Sequence, residues 1–270
     1  MSQIDQTNSF GTLAKYYDEL NAGADYKKVA DYIEQLFGHC QKKPETVLDL
    51  ACGTGNLALE LEARGYDLTA LDLSSDMLAL ATSKKSGGNI FWTNQDMCDF
   101  ELYGTVDAAV CCFDSLNYVC DEAALKKCFA LVNNYLNPGG IFVFDVNSKY
   151  MFERVYDRNA YIIESPKKNV FCAWQNRYDK KTGLCDFYLT IFARQPNGAY
   201  LRCEEAQREK YHSGEFLKAA LLEAGFCEIS VCYNFSPEDR CEKNEKIEGD
   251  KKRRICFAAK KNNKEEYVCK

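Results

Sequence analysis

Histidine is nearly absent from this chain. There are two in 270 residues, His39 and His212, and neither stands at metal-ligand spacing from a cysteine, so no zinc site is expected. Positive charge is the minority sign, 34 lysines and arginines against 40 acids for a net charge of −6. That balance argues against a nucleic-acid substrate, whose partners carry a basic face. The N-terminal stretch has no apolar run and carries Asp5, Lys15, Asp18 and Glu19, so neither a secretory signal nor a membrane span is expected. Paired cysteine motifs are also missing. The 15 cysteines are an odd number, none forms Cys-x-x-Cys, and several sit in apolar runs such as Ala109-Val110-Cys111-Cys112-Phe113. They read as reduced, buried thiols of a cytoplasmic protein.

The most informative segment present is Val47-Leu48-Asp49-Leu50-Ala51-Cys52-Gly53-Thr54-Gly55-Asn56. An apolar strand there carries a carboxylate and runs into a glycine turn that opens a helix, which lets a ligand lie against backbone N–H groups. Gly53-x-Gly55-x-x-Ala58 also fits the dinucleotide fingerprint in its alanine variant, so a nicotinamide cofactor is one reading of the turn. The following acids narrow it. A second strand, Tyr66 to Leu71, ends on Asp72, placed to accept from the hydroxyls of a ribose. A third, Asn89 to Thr93, leads to Gln95-Asp96-Met97; a fourth, Asp107 to Phe113, runs into Asp114-Ser115-Leu116-Asn117-Tyr118; a fifth follows Asn137-Pro138-Gly139-Gly140 and ends at Asp145.

This ordered set resembles the class I S-adenosylmethionine-dependent methyltransferases over residues 10 to 147 and again from 213 to 260. The resemblance implies S-adenosyl-L-methionine as cofactor. It places Gly53 and Gly55 against the methionine part, with Asp49 and Ala51 beside its amino group. Asp72 would hold the ribose hydroxyls, Leu73 and Met77 would pack near the adenine, and Asp96 and the Met97 backbone would meet the ring. Cys112, Phe113 and Asp114 would pass beside the sulfonium. In the subgroup it resembles, a Tyr-Asp pair in an N-terminal helix folds over the cofactor, which makes Tyr17 of Tyr16-Tyr17-Asp18 a candidate contact. Each assignment has a plainer rival: Asp72 as part of a helix cap, Asp96 as a turn residue, and Met77, Tyr16 and Tyr17 as packing.

Helical patterns over Thr12–Leu20, Tyr26–Phe37, Asn56–Arg64, Ser74–Lys84 and Glu122–Leu136, with Asp121 as a cap for the last, alternate with the strands and predict right-handed crossovers and a parallel sheet. After Asp145 the pattern changes to strand-like runs, Tyr161–Glu164, Val170–Tyr178, Leu184–Ala193 and Ala199–Tyr211, joined by Lys180-Lys181-Thr182-Gly183 and Pro196-Asn197-Gly198. A helix after Ser213 and two strands, Glu228–Phe235 and Arg254–Ala259, complete the chain. The expected fold is α/β: a Rossmann-like, seven-stranded class I methyltransferase sheet flanked by helices, with an antiparallel β insertion after strand 5. Residues 1–147 and 213–270 form the cofactor-binding core, and residues 148–212 a β-meander lid that builds the acceptor pocket.

Methyl transfer from a sulfonium is an in-line displacement, so the protein aligns the acceptor and excludes water. Asp114, Tyr118, Glu205 and Tyr211 are the candidate catalytic residues, with Glu209 and His212 also near the proposed pocket; His212 reads more simply as a surface residue. Asp114, Asp145 and Asn147 carry oxygen ligands suited to magnesium, but acids there also suit the cofactor or a substrate amine, and no metal is expected. Lys251-Lys252-Arg253-Arg254 reads as a solvated loop. The expected partner is a small-molecule acceptor methylated on nitrogen or oxygen, with no nucleic acid or membrane, by a monomer or homodimer. The alternatives are a NAD(P)-dependent oxidoreductase, in which Asp49 and Asp96 have no clear task, and a non-catalytic S-adenosylmethionine-binding protein.

Overall fold

A computed structural model describes residues 10–84, 90–241, 247 and 252–263. Asp5, Asn89 and Lys251 of the sequence expectations lie outside them. Two helices, α1 (Gly11–Leu20) and α2 (Tyr26–Phe37), precede an alternating series: β1 (Thr46–Leu50), α3 (Asn56–Ala63), β2 (Asp67–Asp72), α4 (Ser75–Lys84), β3 (Ile90–Asn94), β4 (Val106–Cys111), α5 (Glu122–Tyr135) and β5 (Leu136–Asn147). Four strands follow, β6 (Ala160–Glu164), β7 (Val170–Asp179), β8 (Leu184–Arg194) and β9 (Tyr200–Lys210). Then come α6 (Gly214–Glu223), β10 (Phe226–Tyr233), β11 (Ser236–Arg240) and β12 (Arg254–Lys261).

The large sheet has eight strands in the order β11-β10-β12-β5-β4-β1-β2-β3, one more than expected. The additional strand is β11, which pairs with the outer edge of β10, because Asn234 and Phe235 both take positive φ and turn the chain back at once. β1 to β5 pair in parallel, and β12 runs antiparallel between β5 and β10. β1 therefore lies between β2 and β4, and the crossovers leave its carboxyl end in opposite directions. That switch point opens a crevice above the strand ends.

Alternation along each strand sends side chains to two cores. Leu48, Leu50, Phe142 and Phe144 face α5 and α6, where Phe129 and Leu221 pack. Val47, Val110 and Val143 face α2 and α3 with Ile33, Phe37 and Leu61. Both faces of the sheet are covered, so the central strands read as near-continuous apolar runs. Asp121 accepts from the Ala124 N–H at 3.1 Å and caps α5 as expected.

β6 to β9 form a second, four-stranded antiparallel sheet in sequential order. The second and third of its three hairpins turn at Gly183 and Gly198, both at positive φ. Register places Trp174 opposite Leu189, and Leu189 opposite Glu205. One step along, Phe187 faces Gln207, and Cys185 faces Glu209. α1 joins the two sheets. Its N-terminal N–H groups, at Phe10 and Leu13, donate to the Glu205 carboxylate at 2.9 and 2.7 Å. Further along the helix, Asp18 accepts from Thr54 and Asn56 and pairs with Lys84.

Candidate active site

A cavity of about 900 Å³ occupies the crevice and extends under the second sheet. Its first end is built by the turn after β1. Ala51, Gly53 and Gly55 all take positive φ, and the Gly53 N–H donates to Asp72 Oδ2 at 2.8 Å. A Cβ on Gly53 would meet open space, whereas one on Gly55 would stand 2.5 Å from the Trp92 ring and 2.9 Å from Ala81. The two glycines thus do different work. Gly53 lies on the cavity wall, while Gly55, expected at the cofactor, does not line it and instead lets α3 start close against Trp92 and α4.

Asp49 is buried, and its Oδ2 has no hydrogen-bond partner. It lines a recess of about 40 Å³ that opens beside Gly53, with Tyr17, Tyr26 and Cys112 around it. Burial, reinforced by Asp72, pushes the Asp49 carboxyl up to about 8. A buried acceptor without a partner in a recess of this size fits an ammonium. Cys112 lies on this recess and is not a wall of the main cavity, because it directly follows β4 with its side chain in the α2/α3 core.

Asp72 also accepts from the Ser74 N–H at 2.8 Å. The cap of α4 comes from Ser74, whose hydroxyl accepts from Met77 N–H, so the Asp72 carboxylate is oriented by two backbone bonds and still lines the cavity. A carboxylate has about four lone-pair sites, which leaves two for a diol. Burial pushes the Asp72 carboxyl above its ordinary range, and the two N–H groups oppose that. Leu73 is 58% exposed on the same wall, with Met77, Asp96 and Met97 beside it. Asp96 accepts from Cys98 N–H at 2.8 Å. The residues at this end fit S-adenosylmethionine: an orphaned acid for the amino group, an oriented acid for the ribose, and an apolar shelf for the adenine.

The second end lies where β4, β5 and β12 meet the four-stranded sheet. Phe113 and Asp114 both have positive φ and donate their N–H groups to the two oxygens of buried Asp145, at 2.6 and 3.0 Å. Arg254, the first residue of β12, pairs with Asp114 at 2.7 Å and with Asp145. Burial opposes the Arg254 charge, but these two acids overcome it and hold the guanidinium firmly protonated. The solvated-loop reading fails here: Arg253 is exposed while Arg254 reaches the cavity wall. The acids considered for magnesium face this guanidinium instead.

Asn147 Nδ2 sits at the middle of the cluster, 3.0 Å from Asp114, 3.1 Å from Glu209 and 3.3 Å from the Tyr156 hydroxyl. Glu209 is 1% exposed and also shares a hydrogen bond with Asp114. Burial, then the Asp114 charge, push the Glu209 carboxyl well above the usual range. Tyr118 donates to Gln207 at 3.2 Å. Burial raises Tyr17, Tyr118 and Tyr156, so these phenols hold their protons and the carboxylates remain as the groups able to exchange one.

Of the expected catalytic residues, Asp114 and Tyr118 line the cavity, as does Tyr17 of the cofactor set. Glu205 does not. Both of its oxygens are used by the α1 N-terminus, and Gln207 Nε2 adds a third bond at 2.7 Å, so it fastens α1 to β9. Tyr211 is also outside the cavity wall. β9 ends at Lys210, the alternation stops, and the Tyr211 ring packs against Phe152 5.9 Å away. His212 is no surface residue: it is 2% exposed, with Nε2 2.9 Å from the Val119 carbonyl. Burial lowers it to about 4. Asn147 was weighed only as a metal ligand, and Tyr156 and Arg254 were not among the expected site residues.

A family model described as a methyltransferase domain matches residues 47–140. YqeM of Bacillus subtilis (strain 168), provisionally named a methyltransferase, is 30% identical over 241 residues, covering 87% of this chain and 93% of that protein. A solved S-adenosylmethionine-dependent methyltransferase from Clostridium acetobutylicum superposes with a TM-score of 0.80 at 30% identity, covering 94% of this chain and 99% of that one. A Streptomyces fradiae enzyme named as a dTDP-3-amino-3,6-dideoxy-alpha-D-glucopyranose N,N-dimethyltransferase is 29% identical over 142 residues, 52% of this chain and 55% of that enzyme. Identity sustained over nearly the full length of two such proteins, on the same fold and around an acid-lined crevice that fits the cofactor, places the chain in the class I S-adenosylmethionine-dependent methyltransferases.

Proposed function

We propose that this enzyme methylates an amine nitrogen of a small molecule and that Glu209 takes the amine's proton. The observation that carries the reading is Glu209 itself, an acid 1% exposed on the cavity wall, joined through Asn147 to Asp114. An ammonium entering beside it supplies the opposite charge that lets Glu209 release its own proton to solvent, and the carboxylate so formed then takes the proton of the ammonium. An alcohol is far too weak an acid for a carboxylate to deprotonate, and the tyrosines here are held protonated. The name of the Streptomyces relative, which describes transfer to an amino sugar, agrees with nitrogen as acceptor.

In this reading Asp49 holds the cofactor's amino group, Asp72 its ribose, and Leu73, Met77, Asp96 and Met97 its adenine. Gly53 gives the backbone close approach, and Tyr17 and Phe113 close the wall. When bound, S-adenosylmethionine supplies a methyl carbon on positively charged sulfur, which bonds to nitrogen as the carbon–sulfur bond breaks and its electron pair returns to sulfur. Asp114 and Asp145 fix Arg254, and Asn147 fixes Glu209 toward the acceptor. Residues 1–147 and 213–270 act as the cofactor-binding core and 148–212 as the acceptor wall of a cytoplasmic enzyme with no nucleic-acid partner. The test is Glu209→Gln. Its turnover falls by about 10²–10⁴-fold, and the acid limb of kcat/KM, which lies above the ordinary carboxylate range, is lost while cofactor affinity holds. Unchanged turnover and pH profile overturn the assignment.

A further inference from the structure

The acceptor end of the cavity is polar on one side only. Beyond the Asp114–Asn147–Glu209 cluster its wall passes to Tyr156, then to Trp174 and Phe187, whose centroids lie 5.7 and 5.1 Å from Tyr156 and 5.5 Å from each other. Beyond these rings the wall is apolar. Cys172, Leu189 and Ile163 come from the second sheet and Leu13 from α1. The strand register produces this gradient: on the inner face, Trp174 of β7 and Leu189 of β8 stand side by side, while the polar side chains sit on β9.

The charges limit the acceptor further. Among the described residues that line the cavity, Arg254 is the one lysine or arginine, and Asp114 and Asp145 already neutralise it. The remaining formal charge on the wall comes from acids, Asp72, Asp76, Asp96, Asp121 and Glu209 among them. A diphosphate placed there would meet carboxylates with no free cation to balance it. A cation would meet acids and the faces of Tyr156 and Trp174.

We infer that the acceptor is a ring-bearing alkylamine without phosphate, its amine against Glu209 and Asp114 and its ring on Trp174, Phe187 and Leu189. The inference rests on the amine reading above and narrows it to a chemical class. Trp174 supports it independently, because its indole Nε1 is buried without a hydrogen-bond partner. The ring can stack on this face of the pocket, and a hydroxyl or carbonyl on it can accept from that N–H.

The test uses the full-length enzyme with S-adenosylmethionine and four probes: 2-phenylethylamine, ethylamine, 2-phenylethanol and a dTDP-linked amino sugar. Gain of one methyl group is read by mass spectrometry, and binding by calorimetry in the presence of S-adenosylhomocysteine. The expected result is methylation of 2-phenylethylamine with kcat/KM roughly ten- to a hundredfold above that of ethylamine, the ratio that burial of one ring gives, and no turnover of the sugar nucleotide. Leu189→Lys abolishes the preference for the ring while leaving cofactor affinity unchanged, and Trp174→Phe lowers it less. Preference for ethylamine or the sugar nucleotide overturns this inference and leaves the amine reading standing. Methylation of 2-phenylethanol in place of the amine overturns both. Absence of both binding and turnover of 2-phenylethylamine at millimolar concentration overturns the inference.

Discussion

Replacing Asp49 by Asn separates what this acid costs the fold from what it gives the cofactor. The side chain is buried, Oδ2 has no partner, and the group stands at about 8. The unfolded chain releases this proton near pH 4, so between about 4 and 8 the folded protein holds a proton that the unfolded chain has lost. Stability therefore falls as pH rises through that window, by about 4 kcal/mol at pH 7 on this group alone. Asp49→Asn removes that dependence but leaves an amide in the same unpartnered place, which costs about 1–3 kcal/mol. The ligand-free variant is expected to be more stable by about 1–3 kcal/mol at neutral pH, or about 2–10 °C in Tm for a chain of this size. Cofactor affinity moves the other way, weaker by about 10- to 150-fold, because a charge-assisted bond to the amino group is lost. Binding to the parent protein at pH 7 should also release about one proton, seen as a buffer-dependent heat that the variant lacks. Thermal denaturation at pH 5 and 8 with calorimetry in two buffers decides it. Equal pH dependence and equal affinity in the two proteins would falsify the account of Asp49.

Asp72→Asn keeps one acceptor for the Gly53 and Ser74 N–H groups but loses charge, so cofactor binding should weaken by about tenfold or more with Tm little changed; unaltered affinity would make Asp72 only a turn residue. Glu205→Gln should loosen α1 by about 1–2 kcal/mol, seen as faster amide exchange over residues 10–20 and a raised KM for both substrates. Tyr211→Phe should leave turnover and cofactor affinity alike, and a drop in kcat for that variant would return Tyr211 to the site.

How far the sequence carried depended on the range of the contacts involved. The alternation of β1 to β5 with helices is a local pattern, and each strand appeared within a few residues of its expected ends. The acids at the carboxyl edge came with it, because a parallel sheet sets those ends side by side. β11 escaped because Ser236-Pro237-Glu238-Asp239-Arg240 shows no apolar alternation; it is an edge strand held by pairing to β10. Gly55 was legible as a turn glycine, but what its missing Cβ makes room for, Trp92 across the sheet edge, is nonlocal.

The acceptor end was legible only in part for the same reason. Alternation along β9 sets Glu205, Gln207 and Glu209 on one face, and nothing local distinguishes one acid from the other. The choice is made by α1, almost two hundred residues away, whose N-terminal N–H groups lie over Glu205 and use both of its oxygens. Glu209 lies past that helix, under Asn147. Arg254 was hidden by its neighbours in a basic run, yet its position as the first residue of β12 is decisive: antiparallel pairing sets it opposite Asn147 and one strand from Asp145. A guanidinium entering between Asp114 and Asp145 leaves Glu209 as the acid in that cluster without a fixed counter-charge. That imbalance, created by pairing β12 with β5, is what an amine acceptor would complete.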